Sequence, residues 1–319
     1  NVRTDFDEKF WTVSLKADYE FDFATFTSIT GYNKLDQYYG SDSPPYIPQD
    51  TGLAGGGTVQ QYFYKDTNFS QEFRLTSLGT GRFRWQVGFY YLKFKRDQAT
   101  KINLDTLGRL PDDSPELDPA TALIPTVAYS NPIYNTENYA PFASVQFDIT
   151  PQLKVSLAGR YDTEKRSIRE AADPAINPLT GASYNNCVAL TGRPIEQCFD
   201  KTTFKQFQPN ASLTYLIDDV GSVYASFGRG FKSGGFNPIG SREALIAALP
   251  PGIPASTIYV QDGYQKEVST SYEVGSKLRL LDRALSLNLA AFQTDIKGAQ
   301  QFAFFPSAGV QTTVSIDKI

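Results

Sequence analysis

From Trp11 to Glu20 the side chains alternate without a break. Trp11, Val13, Leu15, Ala17 and Tyr19 fall on one side, and Thr12, Ser14, Lys16, Asp18 and Glu20 on the other. A period of two belongs to a β-strand with one apolar and one polar face. The unit then recurs. A turn at YEFDF (19–23) leads into ATFTSITGYNK, SQEFRLTS turns at LGTGR into FRWQVGFYYLKF, and NYAPFASVQF turns at DITPQ into LKVSLAGRYDTEK. FQPNASLTYLI turns at DDVG into SVYASFGRGF, VSTSYEVGSKL turns at LLDRA into LSLNLAAFQTDIK, and VQTTVSIDKI follows.

The connections between these hairpins differ in kind. Residues 36–66, 97–136, 166–203 and 233–264 are long, polar and rich in Gly, Pro, Asp and Asn, and read as loops. One holds a short helix, SREALIAAL from Ser241 to Leu249, with Ser241 expected as N-cap and Pro250 as stop. Alternation alone fits either a soluble sandwich or a membrane barrel. Short turns on one side, long loops on the other and aromatics near strand ends select the barrel. About ten residues of tilted strand cross a bilayer. The expected fold is therefore all-β, a transmembrane antiparallel barrel with short periplasmic turns and long extracellular loops, of which roughly 11 strands are present.

Composition narrows the function. The formal net charge is −4 and the pI about 5.1, which argues against nucleic acid as a partner. Histidine is absent, removing histidine acid–base catalysis, Ser–His triads and His-ligated metal sites. Methionine is absent too, even at position 1, so a longer gene product is expected. No apolar run approaches the ~18 residues of a transmembrane helix. Cys187 and Cys198 lie in a polar Gly/Pro segment and suggest a disulfide in an oxidising compartment, with two free thiols as the alternative.

The stretch FGRGFKSGGFNP (227–238) imitates a phosphate loop but fails on spacing, since Phe231 stands where glycine should precede Lys232. A dinucleotide fingerprint fails as well, because Ser233 occupies the third glycine position. The stretch reads instead as the upper end of a strand, with Tyr224, Ser226, Gly228, Gly230 and Lys232 facing the lumen. Arg229 then falls on the lipid-facing register, which requires snorkelling or a bulge.

SQEFRLTS, YAPFASVQFDITPQLKVSLAGRYD, FQPNASLTYL, YASFGRGFKSGGFN and SYEVGSKLRLLDRALSLNLAAF together resemble the barrel of TonB-dependent outer-membrane receptors. The resemblance implies a barrel of roughly 22 strands with a plugged lumen. It also implies energy-coupled uptake of a scarce ligand, driven by an inner-membrane energy-transducing complex acting on an N-terminal plug domain. On this expectation residues 1–319 form part of the barrel domain, with the plug and the remaining strands outside this sequence. Ferric siderophore is the commonest cargo in the family, while sugar, cobalamin and haem stay open, and a passive porin or surface adhesin is the alternative. The partners so implied are outer-membrane lipid, the plug, the energy-transducing complex and a small-molecule ligand. No cofactor and no enzyme activity are expected.

Candidate site residues follow from the strand faces. Ser70, Glu72 and Arg74 share a lumen face that meets the plug in the family, and Lys232 joins that wall. Carboxylate neighbours such as Asp162 with Glu164, and Glu267 with Glu273, read as a charge-balanced lumen wall rather than a catalytic pair. The acidic stretch from Asp105 to Asp118 lacks EF-hand spacing. Tyr38, Tyr39, Tyr46, Tyr62 and Tyr64 could stack on a ligand from outside or serve as interfacial aromatics at the upper rim.

Overall fold

The computed structural model describes residues 5–42, 57–79, 81–105, 126–172, 183, 185–305 and 310–318. The strands are β1 (Asp5–Glu20), β2 (Ala24–Asp42), β3 (Gly57–Ser77), β4 (Phe83–Asp105), β5 (Thr126–Ser130), β6 (Pro132–Asp148) and β7 (Leu153–Glu170). After them come β8 (Phe199–Ile217), β9 (Gly221–Lys232), β10 (Gly235–Phe236), β11 (Gly263–Tyr264), β12 (Glu267–Leu280), β13 (Leu285–Phe305) and β14 (Val310–Lys318). Among the described residues one α-helix, α1 (Ser241–Ala247), lies between β10 and β11. Every long strand pairs antiparallel with its sequence neighbour, in the order β1-β2-β3-β4-β6-β7-β8-β9-β12-β13-β14, and β5 pairs only with β4. The sheet is an open part of a transmembrane barrel, with β1 and β14 at its two ends.

Register sorts the side chains into two sets. Trp11 pairs with Lys34, Val13 with Tyr32, Leu15 with Thr30 and Tyr19 with Phe26, which fixes the apolar side of β1 as the outward side of β2. The same parity continues through Phe73 with Phe89 and Tyr91 with Tyr139, and on to Leu213 with Ala225. These outward residues are not covered: Trp11 is 69 % exposed, Leu15 67 % and Val274 57 %. Large apolar side chains left bare along a whole face belong against lipid.

Aromatic rings mark both borders of that face. Near the short turns stand Tyr19, Phe26, Phe83, Phe147 and Tyr215, and toward the long loops stand Trp11, Tyr32, Phe69, Tyr91, Tyr139, Tyr161, Phe207, Phe227 and Tyr272. From Trp11 down to Tyr19 a tilted strand spans roughly 20 Å, close to the height of an outer-membrane apolar band.

The strands do not stop at the upper ring, which corrects the loop boundaries expected from sequence. Residues 36–42 and 57–66 continue β2 and β3, 97–105 continue β4, and 199–203 belong to β8. Polar composition led to a loop assignment, but a ladder needs only backbone partners, and the Asp36–Lys65 and Lys65–Asp97 pairs keep the register.

Two close approaches depend on glycine. At the β8–β9 turn Gly221 has φ 145°, and a Cβ there would lie 1.9 Å from the Lys277 carbonyl oxygen. On the lumen face the Phe142 ring lies over Gly88, where a Cβ would meet ring carbon at 2.3 Å and the Phe73 carbonyl at 2.7 Å. Gly88→Val therefore displaces the Phe142 ring and crowds backbone at the same time. We expect a loss of about 1–3 kcal/mol, measured as a lower midpoint of the heat-induced gel shift of the folded barrel. An unchanged midpoint would show that the ring yields freely.

Candidate functional site

Within the height of the apolar band the inward face is a network of matched charges. Ser70, Glu72 and Arg74 all lie on it; Glu72 and Arg74 pair at 3.4 Å, and the Ser70 hydroxyl sits over Gly31. Arg160 donates to Asp162 at 2.8 and 2.9 Å, and Asn138 and Gln208 donate to the same buried carboxylate at 2.7 and 2.5 Å. The Arg160 guanidinium also lies 5.2 Å over the Tyr90 ring. Glu164 is taken by Arg166. Asp162 and Glu164 thus hold separate arginines, Glu273 accepts from the Tyr224 hydroxyl at 2.5 Å, and Glu267 accepts from the Gln300 amide at 2.8 Å. Every one of these carboxylates is already an engaged acceptor, as a charge-balanced wall requires. Lys232 lies opposite Glu267 at the top of β9, on the inward side, and is exposed. Among the described residues no three His, Cys, Asp or Glu side chains gather as metal ligands. The acidic stretch beyond Asp105 lies outside the described residues.

Above the upper ring, the extended parts of β2, β3 and β4 carry the tyrosines. Tyr39, Tyr62 and Tyr64 face inward together. Tyr39 and Tyr62 have ring centroids 6.0 Å apart, and Tyr62 and Tyr64 stand 6.3 Å apart with planes only 8° from parallel. Arg96 of β4 closes this wall, its guanidinium 5.7 Å from the Tyr64 ring and 5.4 Å from the Phe94 ring. Asp66 holds Arg96 with a two-pronged pair, at 2.9 Å to Oδ1 and 2.6 Å to Oδ2. That pairing keeps Arg96 firmly protonated and its charge balanced by Asp66, while burial pushes the Tyr62 and Tyr64 phenols up, so the wall is aromatic with a matched ion pair at its edge. Tyr38 does not belong to it. The residue points outward, 5.0 Å from Phe63, and its hydroxyl accepts from Gln61. Tyr46 lies outside the described residues.

Two long connections pack together beside this wall. Cys187 and Cys198 form a disulfide, fully buried against Ile168 and Ile239, with Tyr134, Val188, Ile195 and Phe236 around them. The start of α1 differs from the sequence expectation. Ser241 turns its hydroxyl to the Pro238 carbonyl, and the carboxylate of Asp262 receives the amides of Gly240 and Arg242 at 2.8 and 3.1 Å. Lys266 reaches across to the Lys205 carbonyl at 2.7 Å, where β9 has already parted from β8 above Asn210.

Glu170, buried at the top of β7, accepts the amides of Asn131 and Ala172 at 2.8 and 3.0 Å. Burial holds its carboxyl above the ordinary Glu value of 4.5, so the folded state binds the proton more tightly than the unfolded chain. Its contribution is full below pH 4.5 and falls as pH rises through the raised value. Protection of the Asn131 and Ala172 amides from hydrogen exchange should weaken over that rise, and Glu170→Gln should flatten the profile. A variant that keeps the wild-type slope would assign the dependence to another group.

The sequence matches the β-barrel model of the TonB dependent receptor-like family over residues 1–319. Among solved structures it is similar to the ferric yersiniabactin uptake receptor FyuA of Yersinia pestis, with TM-score 0.63 and 16 % identity over 92 % of this chain and 37 % of that one. It is also similar to the siderophore receptor PiuA of Acinetobacter baumannii, with TM-score 0.58 and 18 % identity over 98 % of this chain and 43 % of that one. The copper transporter OprC gives TM-score 0.60 and 11 % identity over 98 % of this chain and 42 % of that one. The chain thus spans about two-fifths of the length of these receptors. Its pairing order, lipid-facing parity and match along the whole sequence make it a member of the TonB-dependent receptor family, from the β-barrel of those receptors.

Proposed function

We propose that this chain is wall from an outer-membrane receptor of a Gram-negative bacterium that imports a scarce ligand by energy coupling, and that the ligand is a ferric siderophore. The observation that carries the reading is the inward face of Tyr39, Tyr62, Tyr64 and Arg96, held above the bilayer on continuous strands. Stacked ring faces suit a flat aromatic ligand, which ferric complexes with aromatic chelating groups provide. The likeness to a ferric yersiniabactin receptor and a siderophore receptor supports this cargo, and the likeness to a copper transporter marks that fold alone does not select it. The work is binding and gating, with the ligand as cargo and no resident cofactor.

The remainder of the receptor belongs to the same proposal. An open sheet leaves backbone groups unpaired in lipid, so further strands of the same polypeptide would close the edges of β1 and β14. A plug domain would fill the lumen and receive the inner-membrane energy-transducing complex. Gly228 and Gly230 support a close-fitting plug. Among the described residues a Cβ on Gly230 would meet nothing nearer than 3.5 Å, and one on Gly228 would press only the Asn210 side chain, at 3.2 Å.

The test is uptake of labelled ferric siderophores by iron-limited cells that depend on this receptor. Removing Tyr62 and Tyr64 together as alanines should weaken binding by about five- to 150-fold, from ~0.5–1.5 kcal/mol per aromatic contact. Tyr38→Ala should leave affinity unchanged. Uptake that persists without the energy-transducing complex would instead mark a passive pore, and import of a sugar or cobalamin but no ferric complex would overturn the cargo.

A further inference from the structure

A gap interrupts the ladder between β8 and β9. Among the described residues these strands pair from Ile217–Gly221 up to Asn210–Gly228 and no further, although β8 begins at Phe199 and β9 runs on to Lys232. Above Gly228 the end of β9 stays with β12, from Arg229–Thr270 to Lys232–Glu267. No bulge interrupts that second ladder, so Arg229 keeps its outward side, with Nε 3.4 Å from Thr270 Oγ1. The chain then meets β8 again. A Cβ on Gly234 would lie 2.5 Å from the ring of Phe204, the residue that an unbroken register would set opposite Gly234. Residues 205–209 and 229–233, equal in number, therefore enclose a seam that can close without any slip of register. The seam begins at the upper aromatic ring, at Phe207 and Phe227, where unpaired backbone groups are no longer surrounded by hydrocarbon.

The backbone explains where the strands part. The Leu216 amide donates to the Gln152 carbonyl at the foot of β7, so even residues of β8 turn their backbone groups toward β7 and odd residues toward β9. Pro209 is an odd residue with no N–H, so the ladder loses a donor at the first pair beyond Asn210. The next two carbonyls that face β9 are taken by side chains. Lys266 Nζ donates to the Lys205 carbonyl at 2.7 Å and to Gln206 Oε1 at 2.9 Å, and Gln206 Nε2 donates to the Phe207 carbonyl at 2.8 Å. Lys266 and Gln206 thus occupy the acceptors that β9 would use on closing.

We propose that this seam is a closable joint in the upper wall and that Lys266, acting with Gln206, latches it open. Release of the latch lets Phe231 pair with Phe207 and lets the Arg229 amide reach the Pro209 carbonyl, so that the end of β9 zips onto β8. Ser233 and Lys266 flank the connection between β9 and β12, and Asn237 within that connection holds both backbone groups of Thr313 on β14 at 2.7 and 3.0 Å. A closed seam withdraws Lys266 from β8, so the joint and the connection shift together. The inference rests on strand pairing and is independent of the cargo.

The experiment reads hydrogen exchange at single amides of the full-length receptor in lipid nanodiscs. In wild type the Phe207 and Phe231 amides should exchange about a hundredfold faster than the Ala211 amide, which faces β9 inside the paired ladder. Lys266→Met should slow both seam amides by about tenfold, and Lys266→Arg should keep the wild-type rates. Loss of a contact that merely braces the wall would speed exchange, so the sign of the change separates a latch from a brace. Folding is followed by the heat-induced gel shift. Should Lys266→Met fail to fold, Gln206→Leu, which uncovers the Phe207 carbonyl, should slow the Phe231 amide in the same sense. Wild-type protection of Phe207 equal to that of Ala211 would overturn the proposal, as would unchanged or faster seam exchange in a folded Lys266→Met or Gln206→Leu variant.

Discussion

The structure depends on one requirement, that every backbone N–H and C=O at bilayer depth finds a partner in a neighbouring strand. Antiparallel pairing between sequence neighbours meets it with the shortest possible connections, and short turns then lock the register. Once the register is fixed, the two-residue period decides everything about the side chains. Odd positions of β1 must tolerate lipid and even positions must tolerate the lumen. The inward matching of Glu72 with Arg74, Asp162 with Arg160 and Glu164 with Arg166 follows from that division. A side chain on the lumen face meets others rather than bulk lipid, and a buried carboxylate there needs a partner.

Much of this was legible in the residues. Alternation identified every long strand, the short turns fell where YEFDF, DITPQ, DDVG and LLDRA stand, and the lumen parity of Ser70, Glu72, Arg74 and Lys232 could be counted from either end. The loop edges were less legible, because hydropathy measures where lipid ends and says nothing about where pairing ends. Above the bilayer both faces of a strand meet polar surroundings, so alternation of hydropathy fades while the ladder continues through Gln37–Tyr64 and Tyr64–Gln98.

The tyrosine cluster shows the same distinction at single-residue scale. Tyr38 and Tyr39 are adjacent in the chain and fall on opposite faces, so composition groups them while geometry separates them. Arg96 and Asp66 were within reach of a parity count extended past the girdle. The contact of Asp262 with the start of α1 was not, since that carboxylate comes from the far side of a connection and no local pattern announces it. The helix is held from outside itself, by a residue 20 or more positions away.

The extended ladder also bears on how such a receptor can change over evolutionary time. Tyr62, Tyr64 and Asp66 share one strand with Lys65, so the inward aromatic wall and an outward lysine are interleaved position by position. Inserting or deleting one residue there would exchange the two sets, turning lysine inward and tyrosine outward. Length changes inside these strands are therefore tolerable mainly in even steps, whereas substitutions at alternate positions can alter one surface and leave the other intact. Lineages of this wall should diverge in the chemistry of one face by replacement within strands, and in length by growth between them.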